Sequence, residues 1–117
     1  MLSGVGVMIR ETLATNSTYV FMGMSGSNTY RASNRTTTGG IATGVNSGTG
    51  VVPNTWVKLV RVGNVITASR SIDGTTWIPA GSTTVTMATS SYIGLAVSSG
   101  SDATLNNSQF SNLSVTP

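Results

Sequence analysis

The chain has 117 residues, enough for one ordinary domain, and only 8% of them are charged. It contains neither Cys nor His, which excludes a thiolate nucleophile, a Ser-His-Asp triad and the common zinc, copper and haem sites. About half of the residues are Ser, Thr, Gly or Asn and 38% are hydrophobic, which favours a folded, strand-rich chain over a disordered one. We expect a single domain over residues 1–117 with no metal and no cofactor.

The net charge of +3 comes from six basic residues that are scattered along the chain, so the sequence predicts no nucleic-acid partner. No apolar run reaches the roughly 18 residues that cross a bilayer, and residues 1–10 lack the charged start and apolar core of a signal peptide. The carboxylates Glu11, Asp73 and Asp102 are far apart in sequence, which argues against a calcium cage or a glycosidase pair. We therefore expect a protein that is not an enzyme and not inserted in a membrane.

Hydrophobic alternation predicts strands throughout the first half of the chain, and no segment has helical periodicity. Residues 39–53 are the exception, because five glycines and a proline there predict a long loop or an irregular sheet edge. Strands are predicted at residues 5–9, 19–24 and 28–38, and the third places Tyr30, Ala32 and Asn34 on one face and Arg31, Ser33 and Arg35 on the other.

In the second half, the runs 55–62 and 65–70 are joined by Gly63-Asn64, which is typical of a short β-hairpin. Asp73-Gly74 predicts the next turn. Further strands are predicted at residues 77–78, 83–87, 92–97 and 109–115. About nine short strands separated by turns predict an all-β antiparallel sandwich or barrel without substantial helix.

Four stretches in this order carry a resemblance to a known family. They are Gly-Val-Met-Ile-Arg-Glu at 6–11, Arg-Thr-Thr-Thr-Gly-Gly at 35–40, Trp-Val-Lys-Leu-Val-Arg at 56–61 followed by 71–77, and Tyr-Ile-Gly-Leu-Ala-Val-Ser-Ser at 92–99 with the closing 110–115. The chain resembles a bacterial concanavalin A-like lectin/glucanase jelly-roll family, found as an extracellular accessory domain and in domains of unknown function labelled regulators of enolase. The resemblance implies a jelly-roll β-sandwich located outside the cell or on a virion or cell surface.

The departures from that family concern its ligand and catalytic positions. Family members usually carry several strands before the first matching stretch, whereas five residues precede it here, so the resemblance implies an N-terminally shortened sandwich. Gly100 stands where a His often follows, and Ser111 stands where an Asp is usual. The carboxylate cluster of the catalytic glucanases is missing, which removes the enzymatic branch of the resemblance.

Residues 71–77 resemble the Asp-box hairpin, one residue shorter between Asp and Gly. In that motif the Asp side chain caps turn amides while the Trp packs beneath, so the motif stabilises a hairpin. We therefore assign a structural role to Ser71, Asp73, Gly74 and Trp77.

The candidate ligand residues are Arg31, Ser33 and Arg35, with Tyr30 on the reverse of the same strand and Trp56 at the start of another. Arg supplies forked donors and Ser supplies an adaptable hydroxyl, which suits a glycan or an acidic partner. A solvated sheet face explains the polar residues equally well, and Trp56 is either a sugar-stacking ring or a residue that covers the sheet.

Two function classes remain, with a minor third. The leading hypothesis is a non-catalytic β-sandwich surface module that binds a glycan or a neighbouring protein. The alternative is a structural subunit of a larger assembly, such as a virion decoration or fibre protein or an extracellular filament, because a shortened sandwich exposes strand edges that neighbouring chains would complete as a homo-oligomer. A minimal hydrolase that uses Glu11 and Asp73 is the third.

Overall fold

A computed structural model describes residues 4–25, 29–49 and 56–98, and these ranges are all β, with eight strands and no helix. Each strand is seven residues long and every pairing between them is antiparallel. No helix in the described ranges is long and apolar enough to span a membrane. The strands are β1 (Gly4–Arg10), β2 (Tyr19–Ser25), β3 (Thr29–Arg35), β4 (Thr43–Thr49), β5 (Trp56–Val62), β6 (Val65–Ser71), β7 (Ile78–Thr84) and β8 (Tyr92–Ser98).

The strands form two sheets that pack face to face in a sandwich-like arrangement. The larger sheet has the order β4-β3-β2-β1-β8 and the smaller has the order β5-β6-β7. Strand β5 packs across β1 and β2, β6 packs across β2, and β7 packs across β3. Five strands therefore face three, and the larger sheet extends past the smaller at both of its edge strands, β4 and β8.

The core lies between the sheets because alternate residues of each strand point to the same side. Met22 and Tyr30 are fully buried there, and Leu59 of β5 touches both groups of buried residues. Gly6 allows β1 to approach β2 closely, since a Cβ at this position would meet the carbonyl oxygen of Met22. The two buried groups are Ile9, Val20, Ile66, Val85 and Met87, and Met22, Met24, Tyr30, Ala32 and Ala68.

Most predicted strands are present, and the β5–β6 hairpin turns at Gly63-Asn64 as expected. Val62 pairs with Val65, so the loop has two residues, and Gly63 has φ +62°, the left-handed backbone that such a turn needs. Within residues 39–53, predicted to be a loop or an irregular edge, β4 forms an edge strand. The strand predicted at 109–115 lies outside the described residues.

The separate strands predicted at 77–78 and 83–87 are wrong, because a single strand, Ile78–Thr84, takes their place. Val85 and Met87 alternate like strand residues, but they lie in the segment that crosses from the smaller sheet to the larger. Both side chains are buried there and pack in the core with Ile9, Val20 and Ile66. The alternation of Val85 and Met87 that predicts a strand therefore belongs to the segment between β7 and β8, which fills part of the core.

Arginines hold the loops by donating to backbone carbonyl oxygens. Arg10 donates to the carbonyls of Thr12 and Ala14 at 3.2 and 2.6 Å. Arg61 holds the β7–β8 connection through the carbonyls of Met87 and Ala88, at 3.1 and 2.9 Å. The Ala88 N–H donates in turn to Glu11 at 2.9 Å, so Arg61 binds the carbonyl and Glu11 binds the N–H of the same residue.

Candidate functional site

The outer face of β3 carries Arg31, Ser33 and Arg35, as the alternation predicts. The hydrogen bond of Arg31 is exposed. Its Nη1 donates to Asn46 Oδ1 on β4 at 3.0 Å. The same guanidinium lies over Gly44, where a Cβ would come within 2.7 Å of Nη2. Arg31 and Ser33 therefore remain on one accessible sheet face.

Arg35 is engaged in holding loops. Its Nη1 donates to the carbonyls of Thr15 and Ser17 at 2.9 and 3.2 Å, and its Nε donates to the carbonyl of Gly40 at 3.0 Å. The guanidinium also lies 5.4 Å from the centre of the Tyr19 ring. Arg35 thus ties the loops before β2 and after β3 to the sheet through its Nε and Nη1 atoms.

Tyr30 and Trp56 lie away from this face. Tyr30 is fully buried between the sheets, and its hydroxyl donates to the carbonyl of Ser71 at 3.1 Å. Trp56 lies on the smaller sheet, where its ring packs against the turn at Gly74. The structure therefore does not bring the five candidate ligand residues into one site.

The Asp73 hairpin is built from hydrogen bonds to its own turn. Asp73 Oδ1 accepts the N–H groups of Thr75 and Thr76 at 2.9 and 2.8 Å, and the Ser71 hydroxyl donates to the same oxygen at 2.9 Å. The turn amides, with the Ser71 hydroxyl, lower the pKa of Asp73 well below its ordinary value. Ser71 Oγ also accepts the N–H of Gly74 at 2.9 Å, so one carboxylate and one hydroxyl satisfy the turn.

Two tryptophans accompany this hairpin. Gly74 has φ +79°, and a Cβ there would stand 2.9 Å from Cε2 of Trp56, so Trp56 is the ring in contact with the tip of the turn. The Lys58 ammonium lies 4.2 Å from the centre of the Trp77 ring. Both rings are partly buried, which fits residues that cover the outer face of the smaller sheet.

A cleft that the sequence did not predict opens where β4 extends past β7. Its volume is about 310 Å³, within the size range of small-molecule sites. The floor is apolar and comes from core residues of both sheets, including Val20, Ala32 and Ile66. The rim is polar and comes from Asn34, Thr43, Ser82 and Thr83.

The rim groups are bound to one another by long hydrogen bonds. Asn34 Nδ2 donates to Thr83 Oγ1 at 3.4 Å across the two sheets, and Thr43 Oγ1 donates to Asn34 Oδ1 at 3.4 Å. Such long bonds are weak, so a ligand hydroxyl could replace them at little cost. None of the described residues that line the cleft is charged, which favours a neutral ligand.

Two sequence signals bear on this cleft: the candidate ligand residue Ser33 lines it, and Asn34 is a polar residue on the face that Tyr30 and Ala32 turn to the core. The strand that pairs with β3 there, β4, lies in the stretch predicted to be a long loop or an irregular sheet edge, so the sequence alone does not define the cleft. The described residues contain no cluster of three or more potential metal ligands. In this part of the chain Glu11 and Asp73 both accept backbone N–H groups.

Comparison with known proteins adds no family to this geometry. No protein-family model, no curated protein and no solved structure matches the chain. The function of the chain is therefore inferred from its own residues.

Proposed function

We propose that the chain is a non-catalytic binding module that takes a neutral, hydroxyl-rich ligand, such as a saccharide, in the cleft between β3, β4 and β7. The observation that carries the proposal is the combination of an apolar floor with an uncharged rim of hydroxyl and amide groups. A sugar ring presents an apolar C–H face and a polar edge, and this lining offers a partner for each.

The concanavalin A-like jelly-roll assignment and a location outside the cell, or on a virion or cell surface, belong to the same proposal. The two antiparallel sheets are compatible with that fold. The support for the jelly roll itself is the resemblance of the four sequence stretches, which also motivates a glycan as the ligand.

A larger side chain at Gly81 should fill the cleft. Gly81 lines the cleft and pairs with Ala68, whose side chain faces the core, so a side chain at 81 would point into the same space. Nothing lies within 4 Å of a Cβ built there. Gly81→Val should therefore fill the cleft and leave the sandwich intact.

The experiment is a calorimetric titration of the full chain with a panel of neutral oligosaccharides. We expect Gly81→Val to weaken the affinity at least about tenfold, equivalent to about 1.4 kcal/mol. Gly94→Val is the matched control, because position 94 is also open and lies on β8, away from the cleft. It should bind like the unmodified protein.

Two outcomes would overturn the cleft as the site. Binding that survives Gly81→Val but is lost in Arg31→Ala would place the ligand on the outer face of β3. Absence of binding to every saccharide in the panel would remove the glycan as the ligand class.

A subunit of a larger assembly is the second candidate, and the exposed apolar side chains of Val60 and Val62 on β5, an edge strand of the smaller sheet, favour it. Apolar surface at a sheet edge promotes association between chains. Light scattering over a range of concentrations tests this candidate. An oligomer that persists on dilution would support assembly, and a monomer of 12.0 kDa at every concentration would exclude a homo-oligomer.

A further inference from the structure

The side of β8 that faces the smaller sheet is apolar, and no described strand of the smaller sheet lies opposite it. Ile93 pairs with Ile9 of β1, and Leu95 pairs with Val7. Paired residues of antiparallel strands project from the same face, and Ile9 is only 5% exposed in the core. Ile93 and Leu95 thus point toward the smaller sheet, yet they are 55% and 44% exposed.

The reason is the unequal width of the two sheets. The smaller sheet ends at β5, which packs across β1 and β2. Strand β8 lies one position beyond β1, so it extends past β5. A strand added beside β5 would lie opposite β8, where it would pair with the open backbone edge of β5 and cover the apolar side chains of β8.

We propose that residues 109–115 of the same chain dock along the open edge of β5 as an added strand and cover Ile93 and Leu95. This segment has seven residues, the length of each described strand, and contains Phe110, Leu113 and Val115. Leu113 and Val115 alternate as a strand face requires. The length and the apolar alternation of this segment therefore fit a strand added at this edge.

The other segments outside the described ranges fit this edge less well. Residues 50–55 lead directly into β5, so they cannot lie beside it without a turn, and they include Pro53. Residues 99–108 are mainly polar and contain one large apolar side chain, Leu105.

The connection from β8 is long enough for this docking. Strand β8 ends at Ser98, and ten residues, 99–108, precede the proposed strand. At about 3.3 Å per residue they reach about 33 Å. Packed sheets lie only about 10 Å apart. The chain can therefore cross between the sheets within its own molecule, and no second copy is required.

The absence of native Cys allows a direct test by thiol labelling. The full chain is prepared as Leu95→Cys and, as a matched control, as Gly94→Cys, because residue 94 lies on the same strand but pairs with Met8 on the opposite face and has open space around it. We expect position 95 to react at least about tenfold more slowly than position 94, at a rate independent of protein concentration.

A second variant identifies the occupant. Adding Leu113→Asp to Leu95→Cys should raise the labelling rate at 95 toward that at 94. If Leu113→Asp does not fold by circular dichroism, the milder Leu113→Ala takes its place with the same expected direction.

Three results would overturn the proposal. Equal labelling rates at 95 and 94 in the full chain would show that β8 is uncovered. Protection that grows with protein concentration would show that a second copy covers it. Protection that survives the change at Leu113 in a folded protein would show that another segment is the cover.

Discussion

Gly74 lies at the Asp73 turn, against the ring of Trp56. Replacing it should destabilise the fold in two ways, because residue 74 has a left-handed backbone and because the ring leaves no space for a Cβ. The φ of +79° at Gly74 is a left-handed conformation, which costs an L-residue about 1 kcal/mol. An added Cβ would also stand 2.9 Å from Cε2 of Trp56, so the ring or the turn must shift, at a further cost of about 1–3 kcal/mol. Gly74→Ala should therefore lower the free energy of unfolding by about 2–4 kcal/mol.

Gly63→Ala separates the two contributions. Gly63 has φ +62°, but nothing lies within 4 Å of a Cβ at this position. This variant should lose only the backbone contribution, about 1 kcal/mol. Urea unfolding of both variants, followed by far-ultraviolet circular dichroism, gives the two free energies of unfolding. Their difference reports the contact with Trp56.

A double-mutant cycle with Trp56→Leu completes the test. Removing the ring should abolish the steric part of the Gly74→Ala cost, so the two changes together should destabilise less than the sum of each alone. The reasoning is refuted if Gly74→Ala is no worse than Gly63→Ala, or if the two changes are additive.

Three further predictions follow from other contacts. Gly6→Ala places a Cβ against the backbone of β2 and should abolish folding or lower the Tm steeply. Gly94→Ala is the control and should leave the Tm nearly unchanged, because a Cβ there meets open space. Equal Tm values would contradict the close approach of β1 and β2. Tyr30→Phe removes the buried bond to the Ser71 carbonyl, and we expect a loss of about 1–2 kcal/mol in urea unfolding, which a neutral result would disprove. Hydrogen bonds lower the folded-state pKa of Asp73, so the stability it confers is complete above the unfolded-state pKa of about 4 and falls as the pH drops toward the folded-state value. Thermal melts of Asp73→Asn should therefore vary less with pH below about 4, and identical pH profiles would refute this.

The strands could be predicted where alternation and turn chemistry agree. β5 and β6 are defined by apolar alternation on both sides of Gly63-Asn64, and the register of the pair follows from a two-residue loop. The faces of β3 were also correct, with Ala32 in the core and Arg31 outside. These features depend on residues that are near one another in sequence.

Features that depend on tertiary contacts could not be predicted. β4 has little apolar alternation, and pairing with β3 makes it a strand. The loop-holding contacts of Arg35 could not be predicted, because the carbonyls it binds belong to loops up to 20 residues away in sequence. The cleft needs β3, β4 and β7 together, so no local pattern contains it.

The arginine contacts with loop carbonyls have a consequence for the medium in which this protein can work. Arg10, Arg35 and Arg61 hold the loops by hydrogen bonds from a charged guanidinium to neutral carbonyl oxygens. Dissolved salt weakens attraction between opposite charges most, whereas these acceptors carry no net charge. The loops should therefore hold their conformation in brine as in dilute buffer.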